Sequence, residues 1–411
     1  MATSGTFTAS NYSITYVNGN LTVTETIGNY RSKASGNWNT LATWERWNGS
    51  VWVEPTTVEG YPGQFSPPTN LYIGNSHDVT CNVSVTGANR VGQLEFLAGA
   101  SSSSLSISSV NSLVVNGNVL IRSGGGNKTI NVGSGFLSCG SISILDTGDD
   151  AVDSEITIAT GGLFVFANLS MAGSSLRNAV RFTSSGNLSC GGSFTGGSLI
   201  PSTGRVTFNG SGAQSVGLYA YNNLTLSGSG IKTVPSGVTI SNNLTISGTA
   251  IASLNTGTTY NVNSLTLGSL GTDQDTWGST TSTATYKNNT YFSATTGLIN
   301  TATDTRTTPA VTPIIGSYSY TGLEQGPNSA TNTGTATSYT FSYEGVSGTT
   351  YGPSSTRPTD AGSYTVIATV AESADGFYFS ANSSATAFSI NSASLTITGL
   401  TADNKSYDGL T

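Results

Sequence analysis

Charged side chains are scarce in this chain, and long apolar runs are missing. Asp, Glu, Lys and Arg supply 9% of the 411 residues, and the net charge is −7, whereas soluble proteins carry about 25% charged residues. The 14 Lys and Arg residues are spread thinly, which excludes the basic patch of a nucleic-acid-binding protein. Because no stretch approaches about 18 consecutive apolar residues, no membrane insertion is expected. The first four residues lack the basic and apolar regions of a signal peptide.

Histidine and cysteine are almost as rare, and this excludes several kinds of site. His77 precedes Asp78 without an accompanying Gly-x-Ser-x-Gly motif, so a Ser-His-Asp hydrolase is not expected. One histidine also excludes a His-rich zinc site. Cys81, Cys139 and Cys190 lack metal-ligand spacing, and either one disulfide or three buried thiols would account for them. We therefore predict no catalytic residue and no enzyme activity.

Glycine, serine, threonine and asparagine are abundant instead, with 51 glycines. Apolar residues still make up 36% of the chain, and they alternate with polar residues in short runs, which favours β-strands over disorder. No window places apolar residues at helical spacing over several turns. The composition therefore predicts an all-β fold. Few lysines and many threonines and asparagines also favour a secreted protein.

A short unit recurs through the middle of the sequence, with apolar residues alternating with Ser or Thr. Its copies are residues 93–96, 118–121, 141–144, 168–171, 187–190, 223–226, 243–246 and 264–267. Such strands cannot bury an apolar face alone, but stacked coils about 4.8 Å apart can. We predict a parallel β-helix, a solenoid of about ten coils, over residues 65–300. An antiparallel β-sandwich array is the alternative fold.

Four tryptophans crowd into residues 27–64, which we interpret as an N-terminal cap. They are Trp38, Trp44, Trp47 and Trp52. A solenoid end must be covered, so these rings could form a lid over the first coil. Alternatively, they form a carbohydrate-binding platform, because aromatic rings pack against the apolar faces of sugar rings. At the other end, Trp277 and residues 278–292 are expected to close the last coil.

One acidic cluster offers oxygen ligands. A calcium site would use its aspartates Asp146, Asp149, Asp150 and Asp153. Carboxylates in a glycine-containing loop suit Ca²⁺, and a solvated turn is the alternative; no other cofactor is expected. A polysaccharide lyase or hydrolase would need Glu155 and these aspartates in a cleft with Arg177 or Arg181. A carbohydrate-binding or carbohydrate-active β-helix is therefore the alternative function.

The pattern changes after a proline-containing linker, residues 301–313. Residues 314–391 contain many tyrosines and longer strands. Residues 360–364, Asp-Ala-Gly-Ser-Tyr, have the form of a tyrosine corner, in which the tyrosine hydroxyl bonds to the backbone upstream. These features predict a small β-sandwich-like domain after the solenoid.

The flanking segments resemble repeat domains of large bacterial adhesins. Residues 360–366 and 387–390, Asp-Ala-Gly-Ser-Tyr-Thr-Val and Ala-Phe-Ser-Ile, resemble MBG-type repeats. Residues 392–411, with the triplet Tyr-Asp-Gly at 407–409, resemble the start of a truncated YDG-type repeat. Residues 1–26 resemble the C-terminal end of a truncated MBG-like repeat.

The resemblance extends to the middle of the chain and carries expectations about function. Residues 36–38, 75–80 and 221–233 resemble β-helical regions of Bacteroidetes-type secreted proteins. The ordered set of segments implies an internal fragment of a far longer secreted adhesin. It implies a structural or adhesive segment at the bacterial cell surface, acting as a stalk or display surface. Its expected partners are surface glycans, other cells or substrata, and further repeats of the same polypeptide.

Overall fold

The described part of the chain consists almost entirely of short β-strands. The computed structural model describes residues 28–122, 126–145, 154–172, 178–401, 406 and 409. Within these ranges the helical turns are two short 3-10 turns, Leu41–Thr43 and Gly87–Asn89, and neither could cross a membrane. The fold is therefore all-β. The predicted repeat end at 1–26 lies outside the described residues.

Most strands of the first half alternate buried and partly exposed residues. They are β1 (Tyr30–Ser32), β2 (Gly36–Asn37), β3 (Trp44–Trp47), β4 (Trp52–Val53), β5 (Asn70–Ile73), β6 (Asp78–Cys81), β7 (Gln93–Phe96), β8 (Ser103–Ile107), β9 (Ser112–Val114), β10 (Val119–Ile121), β11 (Lys128–Asn131), β12 (Phe136–Cys139), β13 (Ile142–Ile144), β14 (Ser154–Ile158), β15 (Gly162–Val165), β16 (Leu169–Met171), β17 (Asn178–Phe182), β18 (Asn187–Cys190), β19 (Phe194–Thr195) and β20 (Ser198–Ile200). Val, Ile, Leu and Thr dominate the strands, and Gly, Ser and Asn dominate the turns, as strand and turn preferences require.

The same alternation continues to about residue 267 and then gives way to other patterns. The remaining strands are β21 (Arg205–Phe208), β22 (Gln214–Ser215), β23 (Ala220–Tyr221), β24 (Asn223–Leu226), β25 (Ser229–Val234), β26 (Thr239–Ile240), β27 (Asn243–Ile246), β28 (Thr249–Leu254), β29 (Thr259–Val262), β30 (Ser264–Leu267), β31 (Leu270–Gly271), β32 (Thr276–Gly278), β33 (Tyr286–Lys287), β34 (Leu298–Thr301), β35 (Val311–Pro313), β36 (Tyr318–Ser319), β37 (Ala330–Asn332), β38 (Tyr339–Val346), β39 (Gly362–Val370), β40 (Ala381–Asn382) and β41 (Thr386–Asn391).

Three parallel sheets hold most of the strands between residues 30 and 267, and we call this part of the structure the stack. Sheet A has the order β19-β16-β13-β10-β7-β5-β1-β3-β4, sheet B β2-β6-β8-β11-β14-β17-β20, and sheet C β31-β30-β27-β24-β21-β18-β15-β12-β9. The chain visits the sheets in turn, and we call one such passage a round. Two smaller parallel sheets, β22-β25-β28 and β23-β26, serve the later rounds. The pairing within the stack is thus parallel, apart from β3, β4 and β31 at sheet ends.

Parallel register places equivalent residues above one another, so the inward side chains form apolar columns. One column of sheet C consists of Val206, Leu224, Leu244 and Leu265. All four side chains are buried, and burying a leucine contributes about 1.5–3 kcal/mol. The columns merge into one continuous core that runs from Tyr30 to Ile299 and also contains Phe377. Repeated columns are therefore what stabilises the stack.

The N-terminal end of the stack is covered by two tryptophans and a hairpin. Strand β3 pairs antiparallel with β1, and β4 pairs with β3, so the end of sheet A is closed by short strands. Trp38 and Trp44 are fully buried, and their rings meet edge to face at 5.0 Å. The Trp38 indole N–H donates to the carbonyl of Pro62 at 2.8 Å. Both rings therefore belong to the core of the first rounds.

The C-terminal end of the stack is covered by the segment that follows β31. Strand β34 pairs parallel with β29, and β32 pairs antiparallel with β34. Trp277 is buried and stacks on Tyr286 at 4.6 Å. Phe377, from the last part of the chain, lies 5.4 Å from the same indole. The stack and the C-terminal region therefore share an aromatic contact.

The C-terminal region is built on two further sheets. One pairs β35 with β37, and the other has the order β36-β41-β39-β38 with β40 beside β39. Its core contains Tyr343, Tyr364 and Phe388. The Tyr364 hydroxyl donates to the carbonyl of Asp360 at 2.8 Å, which confirms the predicted tyrosine corner. Residues 392–401 carry no strand.

Candidate functional site

The histidine lies in a structural contact rather than in a reactive one. His77 Nδ1 is 2.9 Å from the hydroxyl of Ser32, and the backbone N–H of Gly74 donates to that hydroxyl at 2.7 Å. Ser32 is buried, so no substrate reaches its oxygen. The neighbouring carboxylate of Asp78 instead accepts a hydrogen bond from Ser104 at 2.7 Å. These contacts connect adjacent turns of the stack.

The predicted acidic site falls mostly on residues outside the described ranges. This holds for Asp146, Asp149, Asp150, Asp153 and Arg177. The described members of the cluster, Glu155 on β14 and Arg181 on β17, form an ion pair with each other. Across the described ranges, no group of three His, Cys, Asp or Glu side chains could hold a metal ion.

The three cysteines are free and buried. Cys139 and Cys190 lie in the same column of sheet C, with Val165 paired between them. Two strand spacings of about 4.8 Å separate their backbones, which is too far for a disulfide. Burial raises the pKa of the Cys81 and Cys139 thiols to about 12. The thiols therefore act as small apolar side chains and are poor nucleophiles.

The four clustered tryptophans separate into two pairs. Trp38 and Trp44 are buried in the core and expose no ring face to a ligand. Trp47 remains 36% exposed, and Trp52 is partly exposed. The predicted carbohydrate platform therefore reduces to Trp47 and Trp52.

Trp47 and Trp52 line an open pocket of about 350 Å³ on the outer face of sheet A. The lining residues are Asn29, Arg31, Trp47, Trp52, Tyr72 and Leu97. They come from the hairpin β3–β4 and from β1, β5 and the segments beside β1 and β7. We call this site the aromatic pocket.

Strand pairing fixes the aromatic walls of the pocket. Trp47 and Trp52 are directly paired across the hairpin, with their rings 5.5 Å apart and inclined by 58°. The Asn48 side chain accepts hydrogen bonds from the backbone N–H groups of the turn, including that of Val51 at 2.9 Å. Tyr72 stands edge-on to Trp52 at 6.4 Å. Three rings therefore meet at defined angles without any ligand.

Charged groups around the pocket are paired with one another. The Arg31 guanidinium lies 4.6 Å above the Trp52 ring and donates to Glu45 at 2.7 Å. Burial, and then the nearby carboxylate of Glu95, raise the pKa of the Tyr72 hydroxyl, so it stays protonated. Glu95 itself pairs with Arg122. As far as the structure describes its lining, the pocket thus presents aromatic rings and polar donors but no unpaired ion.

A second cavity, of about 680 Å³, lies where sheet A ends. Phe194, Tyr219 and Leu218 line it together with glycine-rich backbone. The Tyr219 hydroxyl donates to the carbonyl of Gly196 at 2.6 Å. Among the described residues that line the cavity, this tyrosine is the one ionisable side chain, so the cavity offers fewer ways to recognise a ligand.

Comparisons with models of protein families, with curated proteins and with solved structures found no match.

The clustering of tryptophans in the sequence predicted Trp47 and Trp52 as site residues, but the sequence analysis did not identify Asn29, Arg31 and Tyr72. Arg31 and Tyr72 are 41 positions apart in the sequence, and only the order of strands in sheet A brings them together. The signal available in the sequence was their outward position in strands that alternate buried and partly exposed residues.

Proposed function

We propose that this chain is a structural and adhesive segment of a secreted bacterial cell-surface protein. In this proposal it forms a stalk or display surface, built as a parallel β-helix of about ten coils with a small β-sandwich-like domain behind it. The observation that supports it best is the in-register parallel pairing that repeats through three sheets between residues 30 and 267. The proposal assigns no catalysis to the chain.

A stack of this kind suits a spacer. Each round contacts mainly its neighbours, so length increases with the number of rounds while the cross-section stays constant. Ten rounds at about 4.8 Å each span roughly 45 Å. Both ends are covered, by Trp38 and Trp44 on one side and Trp277 on the other, which protects the sheet edges from pairing with other chains.

The outer face of sheet C supports the display role. Its outward positions form a ladder of Thr207, Thr225, Thr245 and Thr266. Beside it, the Asn242 side chain donates to the Asn223 side chain at 2.9 Å. Ladders of this kind satisfy polar groups without charge. This ladder is therefore uncharged and hydrophilic.

The bacterial surface location and the further repeats rest on the MBG-like and YDG-like flanks. The tyrosine corner at Tyr364 lies within the motif that carries this resemblance. A protein of this type would present many such domains along one polypeptide and would meet glycans, other cells or substrata through them.

The test is immunolabelling of intact source cells with antibodies raised against this chain. The proposal expects labelling without permeabilisation, and labelling that disappears after mild surface proteolysis. Labelling that requires permeabilised cells would contradict a surface location. As a separate measurement of the stalk, stretching the full chain in optical tweezers should show steps of 18–27 residues or their multiples, the spacing of most paired rounds.

A further inference from the structure

The aromatic pocket carries an inference that is independent of the stalk function. We propose that the aromatic pocket binds one neutral sugar ring, stacked on Trp47 or Trp52 and hydrogen-bonded by Asn29 and Tyr72.

The walls combine the two features that a sugar ring requires. A pyranose has an apolar face of C–H groups and a rim of hydroxyls, and aromatic rings pack against such a face. Trp47 is exposed at the pocket, while Asn29 and Tyr72 line it beside the tryptophans. The Asn29 side-chain oxygen accepts from Asn70 at 3.4 Å, which orients its amide N–H₂ group. A volume of about 350 Å³ is at the small end for ligand pockets and fits a single ring rather than a chain.

The charges around the pocket favour a neutral ligand. Among the described residues of the lining, Arg31 is the one cation, and its Nε and Nη2 both lie 2.7 Å from the same carboxylate oxygen of Glu45. Glu95, whose charge acts on the Tyr72 hydroxyl, pairs with Arg122. An acidic sugar would have to compete with Glu45 for Arg31, and a cationic ligand would find no free carboxylate. A ligand without formal charge meets neither obstacle.

The rings are held in place before a ligand arrives. Arg31 lies over one face of Trp52 at 4.6 Å, and this cation–π contact holds the indole in place. Tyr72 supports the edge of the same ring. Preorganised walls lower the entropic cost of binding a small ligand. The pocket is therefore a built site and not a chance collection of exposed rings.

The experiment is a glycan array probed with the full chain, containing neutral, sialylated, uronate-bearing and sulfated glycans. We expect binding confined to neutral glycans. Titration with the best binder should then blue-shift the tryptophan emission, because Trp47 is the most exposed indole among the described residues. The proposal is overturned if no neutral glycan on the array binds, or if only acidic glycans bind. Proline-rich peptides are tested separately for binding, and a chain that binds these peptides but no neutral glycan would also overturn it.

Variants assign the binding to the pocket. Trp47→Ala should weaken binding at least tenfold and Tyr72→Phe several-fold, whereas Phe166→Ala, at an aromatic residue that is 72% exposed outside the pocket, should leave it unchanged. Equal affinity in Trp47→Ala and the parent overturns the proposal. Hydroxyl-radical footprinting of the unmodified chain gives a readout that does not depend on a variant folding. Bound sugar should protect Trp47 and Trp52, and unprotected rings would contradict the assignment.

Discussion

Two lysines are fully buried inside the stack, although lysine side chains usually lie on the protein surface. The Lys128 ammonium donates to the side-chain oxygen of Asn75 and to the carbonyls of Gly99 and Ser101. The Lys232 ammonium donates to the carbonyls of Gly210 and Gly212 and to the side-chain oxygen of Gln214. A buried charge is tolerated only when it is hydrogen-bonded in this way. Each lysine therefore joins turns of different rounds.

Replacing Lys232 tests whether this contact stabilises the stack. Lys232→Met keeps most of the side-chain volume but removes three hydrogen bonds. The Gln214 oxygen and the Gly210 carbonyl still accept from backbone N–H groups, whereas the Gly212 carbonyl loses its donor. An unsatisfied buried polar group costs about 1–3 kcal/mol, so the free energy of unfolding should fall by about that amount. Urea denaturation measures this change. Lys287→Met, at an exposed lysine, is the matched control and should change stability little; equal effects would contradict the role of Lys232.

The buried thiols and tyrosines predict how stability responds to alkaline pH. Burial raises the pKa of Cys81 and Tyr219 to about 12, above their unfolded values of about 9 and 10. The unfolded chain therefore loses these protons first, and the stabilisation present below pH 9 is lost as pH rises to 12. Burial lowers the pKa of Lys128 and Lys232 below 10.5, which acts in the opposite direction up to that pH.

The net expectation is a steep loss of stability above pH 10.5, where the two lysines no longer offset the thiol and phenol groups whose pKa is raised. Thermal unfolding at one-unit pH intervals checks it, and tyrosine absorbance should show a fraction of phenols that ionise only with unfolding. A melting temperature constant to pH 12 would contradict it.

The buried cysteines should not react in the folded protein. Thiol reagents at pH 8 should therefore label no cysteine before unfolding.

The strand alternation was predictable from the sequence, but the assignment of repeats to sheets was not. The recurrent units fall on two ladders: the copies beginning at residues 93, 118, 141 and 168 belong to sheet A, and those beginning at 187, 223, 243 and 264 belong to sheet C. The step from 168 to 187 crosses between sheets. Strands of both sheets require the same alternation of apolar and hydroxyl residues. Sequence similarity alone therefore does not tell a strand of sheet A from a strand of sheet C. The 36-residue step contains β21, whose Arg205 and Phe208 disguise the unit.

Turns between strands impose a steric requirement that glycine meets. A Cβ atom added to Gly161 would lie 2.1 Å from the carbonyl oxygen of Gly135, in the round below. The backbone N–H of Gly161 also donates to Gly133 at 2.9 Å. The two rounds approach each other here through backbone atoms alone, and neither can yield without disturbing the ladder.

Gly161→Ala should therefore destabilise the stack. Forcing a methyl group into such a contact costs about 1–3 kcal/mol. Gly212→Ala is the matched control, because an added Cβ at Gly212 meets no atom within 4 Å, and its effect should stay within about 0.5 kcal/mol. Chemical denaturation of both variants gives the comparison. A Gly161 variant as stable as the Gly212 variant would show that the rounds can separate at this turn.

At the scale of the whole molecule, the all-β class and the change of pattern after the linker were accessible from the sequence. The contact between the stack and the C-terminal region was not, because its members are spread over residues 273–379. Arg306 is central to it: its guanidinium pairs with Asp304 at 2.7 Å, with Asp273 at 3.4 Å and with Glu372. It also lies 4.4 Å above the Phe379 ring. Nothing in local periodicity indicates such a convergence.

Arg306→Ala should loosen this junction. Three carboxylates would lose their common cation, and removing one partner of a largely buried charge network is strongly destabilising. The Arg306 side chain is 9% exposed, so water cannot replace it readily. We expect faster limited proteolysis within residues 301–313, a larger radius of gyration in small-angle X-ray scattering, and separation of one melting transition into two. Arg205→Ala, at an exposed arginine of the stack, is the control. A variant that stays compact and melts in one step would show that the Trp277–Phe377 contact alone holds the two regions together, and Trp277→Ala would then be the variant that separates them.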